Sequence, residues 1–311
     1  MPGKVTPFWN KAYKALLSEK TKERSEKVII TIAVVGFIIH LLLIILSKLG
    51  IFEADYAPGL LDNPISSIYT PFSFILVYEV YLLVYFLPKS ITFYIGKQYE
   101  IILLILIRRL FKDLAQLDLQ KSWFSSQDDL QFTYDIGATL IIFTLIFIFY
   151  YLNSKRTAVQ QGKLPQQEQT QRFIETKKKL AIVLIVVLFF LAVYSFGNYF
   201  NQLFFNVSKK VASIKDINNI FFDEFFTILI LSDVLLLLIS YTHTSSFRSV
   251  IRNSGFVIST ILIKLSFGTE GLLNNVLVVS AISFGVLILL IHNFYETIEP
   301  LNKTEDQGLV S

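Results

Sequence analysis

The chain has 311 residues, of which 53% are hydrophobic and only 17% charged, with a mean hydropathy of +0.57. A soluble domain carries nearer to about 25% charge, so the composition excludes an ordinary water-soluble fold and points to a polytopic membrane protein. The net charge is a modest +4 and cysteine is absent, which excludes a disulfide scaffold, thiolate metal sites and cysteine nucleophiles.

Residues 1–27 read as a cytoplasmic amphipathic segment. Thr6-Pro7 suits a helix start. Phe8, Trp9, Ala12, Tyr13, Leu16 and Leu17 then share one helical face, with lysines elsewhere. That pattern fits a helix lying at the membrane interface; the alternative is packing against a partner or a soluble loop.

A helix needs about 20 apolar residues to cross the hydrocarbon core. Eight stretches meet or approach this length: Val28–Ile51, Ile68–Leu87, Ile91–Phe111, Phe132–Leu152, Leu180–Phe205, Ile220–Tyr241, Val250–Phe267 and Leu272–His292. Their apolar runs are continuous rather than alternating, which disfavours a β-barrel. The first is too far from the N-terminus, and too poor in small residues after it, for a signal peptide.

Positive charge sets the expected orientation. Seven Lys and Arg precede Val28, and another group lies between the fourth and fifth stretches, at Lys155, Arg156, Lys163, Arg172 and Lys177 to Lys179. An even number of spans separates these regions, so both fall on the cytoplasmic side, together with both termini. Glu53, Asp55 and Asp62 suit the opposite side. Arg108, Arg109 and Lys112 conflict with this scheme, and the conflict marks those arginines for a specific role or the third span for error.

The two halves follow the same order. Each has a basic run, a clean apolar helix, a polar loop, a helix with one acid, a helix bounded by basic residues and a final span. Glu79 matches Asp233, Lys97 matches Arg252, Arg109 matches Lys264, and Asp135 matches Asn275. The expected fold is therefore all-α, with eight transmembrane helices in two parallel four-helix repeats related by an axis along the membrane normal. The repeats span residues 28–152 and 180–293, joined by a cytoplasmic linker over 153–179 and followed by a cytoplasmic tail over 294–311.

Three short motifs, Tyr78-Glu79-Val80, Ile107-Arg108-Arg109-Leu110 and Tyr134-Asp135-Ile136, give the first half an order that resembles the phosphate-starvation-inducible PsiE family. The second half resembles it with Asp233 for Glu, Lys264 for Arg and Asn275 for Asp. The resemblance implies two tandem PsiE-like units, an inner-membrane location and a link to nutrient stress, with no established activity.

Charges inside a bilayer usually face the bundle interior and need partners. Glu79 and Asp233 are the expected central acids, Lys97 and Arg252 the inner bases, Arg109 and Lys264 the outer bases, with Arg108 on the same helix face as Lys97. Asp135 and Asn275 are helix-start polar partners. Glu100, three residues from Lys97, is placed to neutralise it. One function these groups suit is a channel- or transporter-like polar pathway for a small ion or proton. The alternative is a non-transporting sensor or assembly module, linked to stress, in which the charge pairs only fix helix packing.

Other signals are weaker. Tyr78, Tyr81 and Tyr85 follow one helix face, suited either to a wet cavity beside Glu79 or to aromatic packing. Gly255-xxx-Ser259 and Ala281-xxx-Gly285 suit close helix packing. Asp128 and Asp129 with Asp135 suit a cation site less well than a solvated loop acid pair, and Asn206-Val207-Ser208 is a bare glycosylation triplet. His40, His243 and His292 lack metal-binding spacing, and no phosphate loop, dinucleotide turn or nucleophile elbow is present. The basic residues are too sparse for a voltage sensor. No enzyme activity, cofactor or nucleic-acid partner is expected; the expected partners are the lipid bilayer, a small ion or proton, and a second copy or another membrane protein.

Overall fold

The computed structural model describes residues 7–50, 64–114, 127–160, 167–205, 214–243, 247–269 and 271–308. The described residues are helical with short turns. In chain order the helices are α1 (Pro7–Leu16), α2 (Glu19–Lys48), α3 (Tyr69–Phe86), α4 (Ile91–Leu114), α5 (Gln127–Gln160), α6 (Gln167–Phe205), α7 (Ile214–His243), α8 (Phe247–Phe267) and α9 (Gly271–Gly308), with a 3-10 turn over Pro64–Ile68 before α3. Within the described residues, each of the eight apolar stretches falls mainly on one of these helices. Five segments are long and apolar enough to cross a membrane: Phe8–Lys48, Asp129–Ser154, Glu224–Tyr241, Phe247–Phe267 and Gly271–Tyr295.

The helix ends follow local chemistry. Ser18 is extended, with φ −82° and ψ 157°, and its hydroxyl accepts the Thr21 amide at 3.2 Å, which caps α2. Glu19 then favours the positive end of the helix and Lys48 the negative end. Gly50 follows at φ 72°, the left-handed turn that ends a helix without steric cost. After Pro88 breaks α3, the Ser90 hydroxyl accepts the Phe93 amide at 3.3 Å and starts α4. The α8–α9 turn is closed by Thr269, which donates to the Ser266 carbonyl at 2.8 Å, and by the Asn274 amide, which donates to the same oxygen.

The polar segments expected as tail and linker are partly helical. α2 begins nine residues before Val28, while α5 runs to Gln160 and α6 starts at Gln167, so the linker is largely helix on both sides. The acids Glu53, Asp55 and Asp62, the linker's Lys163 and the triplet at Asn206 lie outside the described residues.

The chain divides into two compact units, each drawing on both sequence halves: residues 1–88, 104–133 and 175–228 in one, and 89–103, 134–174 and 229–311 in the other. In the first unit α2 and α3 pack as a hairpin. His40 Nδ1 lies 2.6 Å from the Thr70 hydroxyl, and Gly36 lets the Thr70 and Phe74 side chains approach. In the second unit α8 and α9 form the closest pair. Gly255 faces Ile288 so tightly that an added Cβ would sit 2.8 Å from its Cγ1. Tyr99, Phe149 and Phe256 fill the centre beside them and are fully buried, with ring centroids 5.2 Å apart for Tyr99–Phe149 and 5.9 Å for Phe149–Phe256.

Large apolar side chains also cover the outside. On α2, Ile30, Val34, Ile38 and Leu42 are about half exposed (49%, 52%, 50% and 52%). Leu140, Phe143 and Phe147 on α5 and Val183, Phe189 and Phe190 on α6 are exposed as well. Soluble proteins rarely show apolar bands of this extent. Together with the length of the helices, they fit a surface that faces lipid, where helices satisfy their own backbone groups.

Candidate functional site

Buried polar side chains gather in both units. In the first, Glu79 on α3 is 6% exposed, and its carboxylate lies in the field of the Arg108 guanidinium on α4. The arginine that conflicts with the charge-based orientation is thus near enough to act electrostatically on the acid of α3. Arg109, one residue on, is partly exposed on the same helix.

The tyrosines of α3 reach toward α1 and α2. Tyr78 donates to the Glu26 carboxylate at 3.0 Å, Tyr81 to the Leu16 carbonyl at 3.0 Å, and Tyr85 to the Glu19 carboxylate. The stripe clasps the junction of α1 and α2. The sequence pattern marks the stripe, but the acids it holds are scattered among the tail lysines and carry no spacing signal of their own. Across from it, the Lys178 ammonium lies over the Tyr13 ring, 5.2 Å from its centroid.

In the second unit Asp233 on α7 is 4% exposed and accepts the Gln98 amide of α4 at 3.1 Å. The Gln98 carbonyl accepts the Thr260 hydroxyl of α8 at 3.0 Å. Neither Gln98 nor Thr260 stands out in the sequence, because neutral polar residues carry no expectation of a partner. One residue along on each helix, Tyr99 and Ser259 share a hydrogen bond of 2.8 Å, and Ser259 donates to the Ala281 carbonyl of α9 at 2.7 Å. The serine proton is thereby committed to Ala281, so Tyr99 is the donor of the pair.

Lys97 pairs with Glu100 at 2.6 Å, one helical turn on, and lies about equally far from the Phe93 and Tyr150 rings, at 5.7 and 5.8 Å. Arg252, 8% exposed, donates to the Asn253 side-chain carbonyl from Nε at 3.2 Å and from Nη2 at 3.0 Å. Its Nη1 lies 3.1 Å from His292 Nε2. A guanidinium only donates, so His292 accepts there and carries its proton on Nδ1. Lys264 stands in the last turn of α8, where the helix carbonyls favour a cation.

Asp135 on α5 and Asn275 on α9 are 2% and 3% exposed, and the asparagine amide donates to the carboxylate. These are residues that the sequence pattern of the two halves matches to each other. Farther along the same two helices Asn293 donates to the Leu152 carbonyl at 3.0 Å. Asp129 is 3% exposed on α5, which corrects the expectation of a solvated loop acid; it is shielded within a helix. Among the described residues no three His, Cys, Asp or Glu side chains group in a way that could hold a metal ion.

Comparison of the chain with family models, with curated proteins and with solved structures returned no match.

Proposed function

We propose that this chain is an integral membrane module in which buried polar side chains fix the packing of a helical bundle, and which acts by sensing or by assembly rather than by transport. The observation that carries it is the setting of Asp233. The carboxylate is 4% exposed and directly hydrogen bonded by Gln98, which Thr260 bonds in turn. Direct bonding and burial are what a packing role requires; a permeation role requires water at the acid.

The proposal includes eight spans in two parallel repeats, each resembling a PsiE-like unit, with both termini on the cytoplasmic side of the plasma membrane. The contacts between α5 and α9 support the parallel arrangement. Asp135 meets Asn275 and Leu152 meets Asn293, offsets of 140 and 141 residues. A nearly constant offset over about 26 Å of helix means that the two helices run side by side in the same direction and in equivalent register.

One observation favours the transport reading as a second possibility. The Asp233–Gln98–Thr260 bonds and the Arg252–His292 bond place an acid of α7 and a base of α8 inside one unit, in bonds that together join four helices. A water-soluble carbodiimide distinguishes the two. Applied to reconstituted protein and followed by peptide mapping, it should leave Glu79 and Asp233 unmodified while exposed carboxylates react. Modification of either acid in the folded protein would place water beside it and favour a pathway.

A further inference from the structure

We propose that α1, the first turns of α2 and the basic start of the apolar part of α6 form a docking surface for the anionic headgroups of bilayer phospholipids. The inference rests on the membrane placement proposed above and adds a selectivity for lipid charge. Lys11, Lys14, Lys20, Arg24, Lys27 and Lys179 are all exposed. Two of the acids among them are engaged elsewhere, Glu19 by Lys22 at 2.8 Å and by Tyr85, and Glu26 by Tyr78 at 3.0 Å, while Glu23 is exposed alongside the cations. Those two carboxylates are thus drawn toward α3, and the six exposed cations outnumber the one exposed acid left beside them, Glu23.

The position along the helices matches a headgroup layer. Lys27 immediately precedes Val28, which is 49% exposed and begins the apolar band of α2. At 1.5 Å per residue, Arg24 stands about 6 Å and Lys20 about 12 Å outside that band. The polar layer on each side of a bilayer is about 5–7 Å deep, and lysine stems extend the reach of their ammonium groups. Lys179 stands in the same relation to the apolar run that starts at Leu180.

α1 is held at this level rather than projecting away. Tyr81 bonds the carbonyl of its last residue, Leu16, at 3.0 Å, and Lys178 covers Tyr13. Phe8 is 70% exposed and packs edge-on against Trp9 with centroids 5.9 Å apart, an aromatic pair of the kind that sits at the membrane–water boundary. Basic groups next to exposed aromatics at that depth fit the phosphate of an anionic lipid, and each cation near such a surface strengthens the attraction.

Trp9 reports on the surface directly. The chain has two tryptophans, so Trp123→Phe leaves Trp9 as the sole emitter. The full chain carrying that change is reconstituted in vesicles of phosphatidylcholine and phosphatidylglycerol, with an equal fraction of one lipid or the other brominated in its acyl chains. Brominated phosphatidylglycerol should quench Trp9 about twofold more than brominated phosphatidylcholine, and high salt should shrink the difference. Lys11→Gln, Lys14→Gln and Lys179→Gln together should abolish it. Equal quenching by the two lipids in the unmodified surface would overturn the selectivity while leaving the membrane placement intact. Quenching by neither would overturn the interfacial position of α1 itself. A preference that survives the triple substitution would remove these lysines as its source, and if that variant fails to reconstitute, the salt dependence of the parent decides.

Discussion

Gly285→Ala should destabilise the bundle by about 3 kcal/mol, read as a lowered thermal unfolding midpoint in detergent micelles. A Cβ at this position would fall on the Tyr99 hydroxyl, 3.0 Å from Tyr99 Cζ and 3.1 Å from Ser259 Oγ. Tyr99 has no room to withdraw, since it is fully buried between Phe149 and the α8–α9 pair. Its hydroxyl is also tied to Ser259, which is tied to Ala281. Tyr99→Phe alone should cost only about 1 kcal/mol, the worth of one neutral hydrogen bond. Because it removes the atom that the alanine would strike, the double variant should unfold at a higher temperature than Gly285→Ala alone. Additive effects would show that the two residues do not meet.

Asn275→Leu should cost about 2–3 kcal/mol, because the buried Asp135 carboxylate loses a charge-assisted hydrogen bond in a setting where water cannot replace it. The exchanged pair, Asp135→Asn with Asn275→Asp, should recover most of that loss. The proposed repeat puts the two residues at equivalent places on α5 and α9, so exchanging them should reverse the direction of one hydrogen bond and preserve its chemistry. Thermal unfolding of the native chain, Asn275→Leu and the exchanged pair in the same detergent measures the recovery. An exchanged pair as unstable as Asn275→Leu would show that the surroundings of the two helices are not equivalent and would count against the repeat.

The placement of the helices is readable from sequence because a bilayer-length apolar run has one way to satisfy its backbone. Their ends are less readable. The apolar run of α2 starts at Val28, yet its helix starts at Glu19, because Ser18 caps it and Lys22–Glu19 pairs across one turn. Nothing obliges a helix to stop where its hydrophobic part stops. For the same reason α5 and α6 extend into the segment expected to be a linker.

Among the polar groups, local partners are legible and distant ones are not. Lys97 with Glu100 follows from a three-residue spacing. Gly255-xxx-Ser259 and Ala281-xxx-Gly285 mark where α8, α9 and Tyr99 approach closely. Asp233 stands out as a buried acid, but Gln98 lies 135 residues away and is chosen by which helix faces meet. Arg252 and His292 meet in the same way across the α8–α9 hairpin. The tyrosine stripe is visible in its spacing, whereas Glu19 and Glu26 are obscured by the lysines around them, because charge-based topology counts cations and passes over acids.

The central claim is that the buried acids pack helices and do not conduct. Ion and proton flux in proteoliposomes tests it most directly, comparing the native chain with a Glu79→Gln, Asp233→Asn double variant that retains its helical content. The account predicts no flux above that of protein-free vesicles in either protein, for monovalent cations, protons and phosphate, together with a lower unfolding temperature for the variant. Flux through the native chain that the double variant abolishes would contradict the account and place Glu79 and Asp233 in a permeation path.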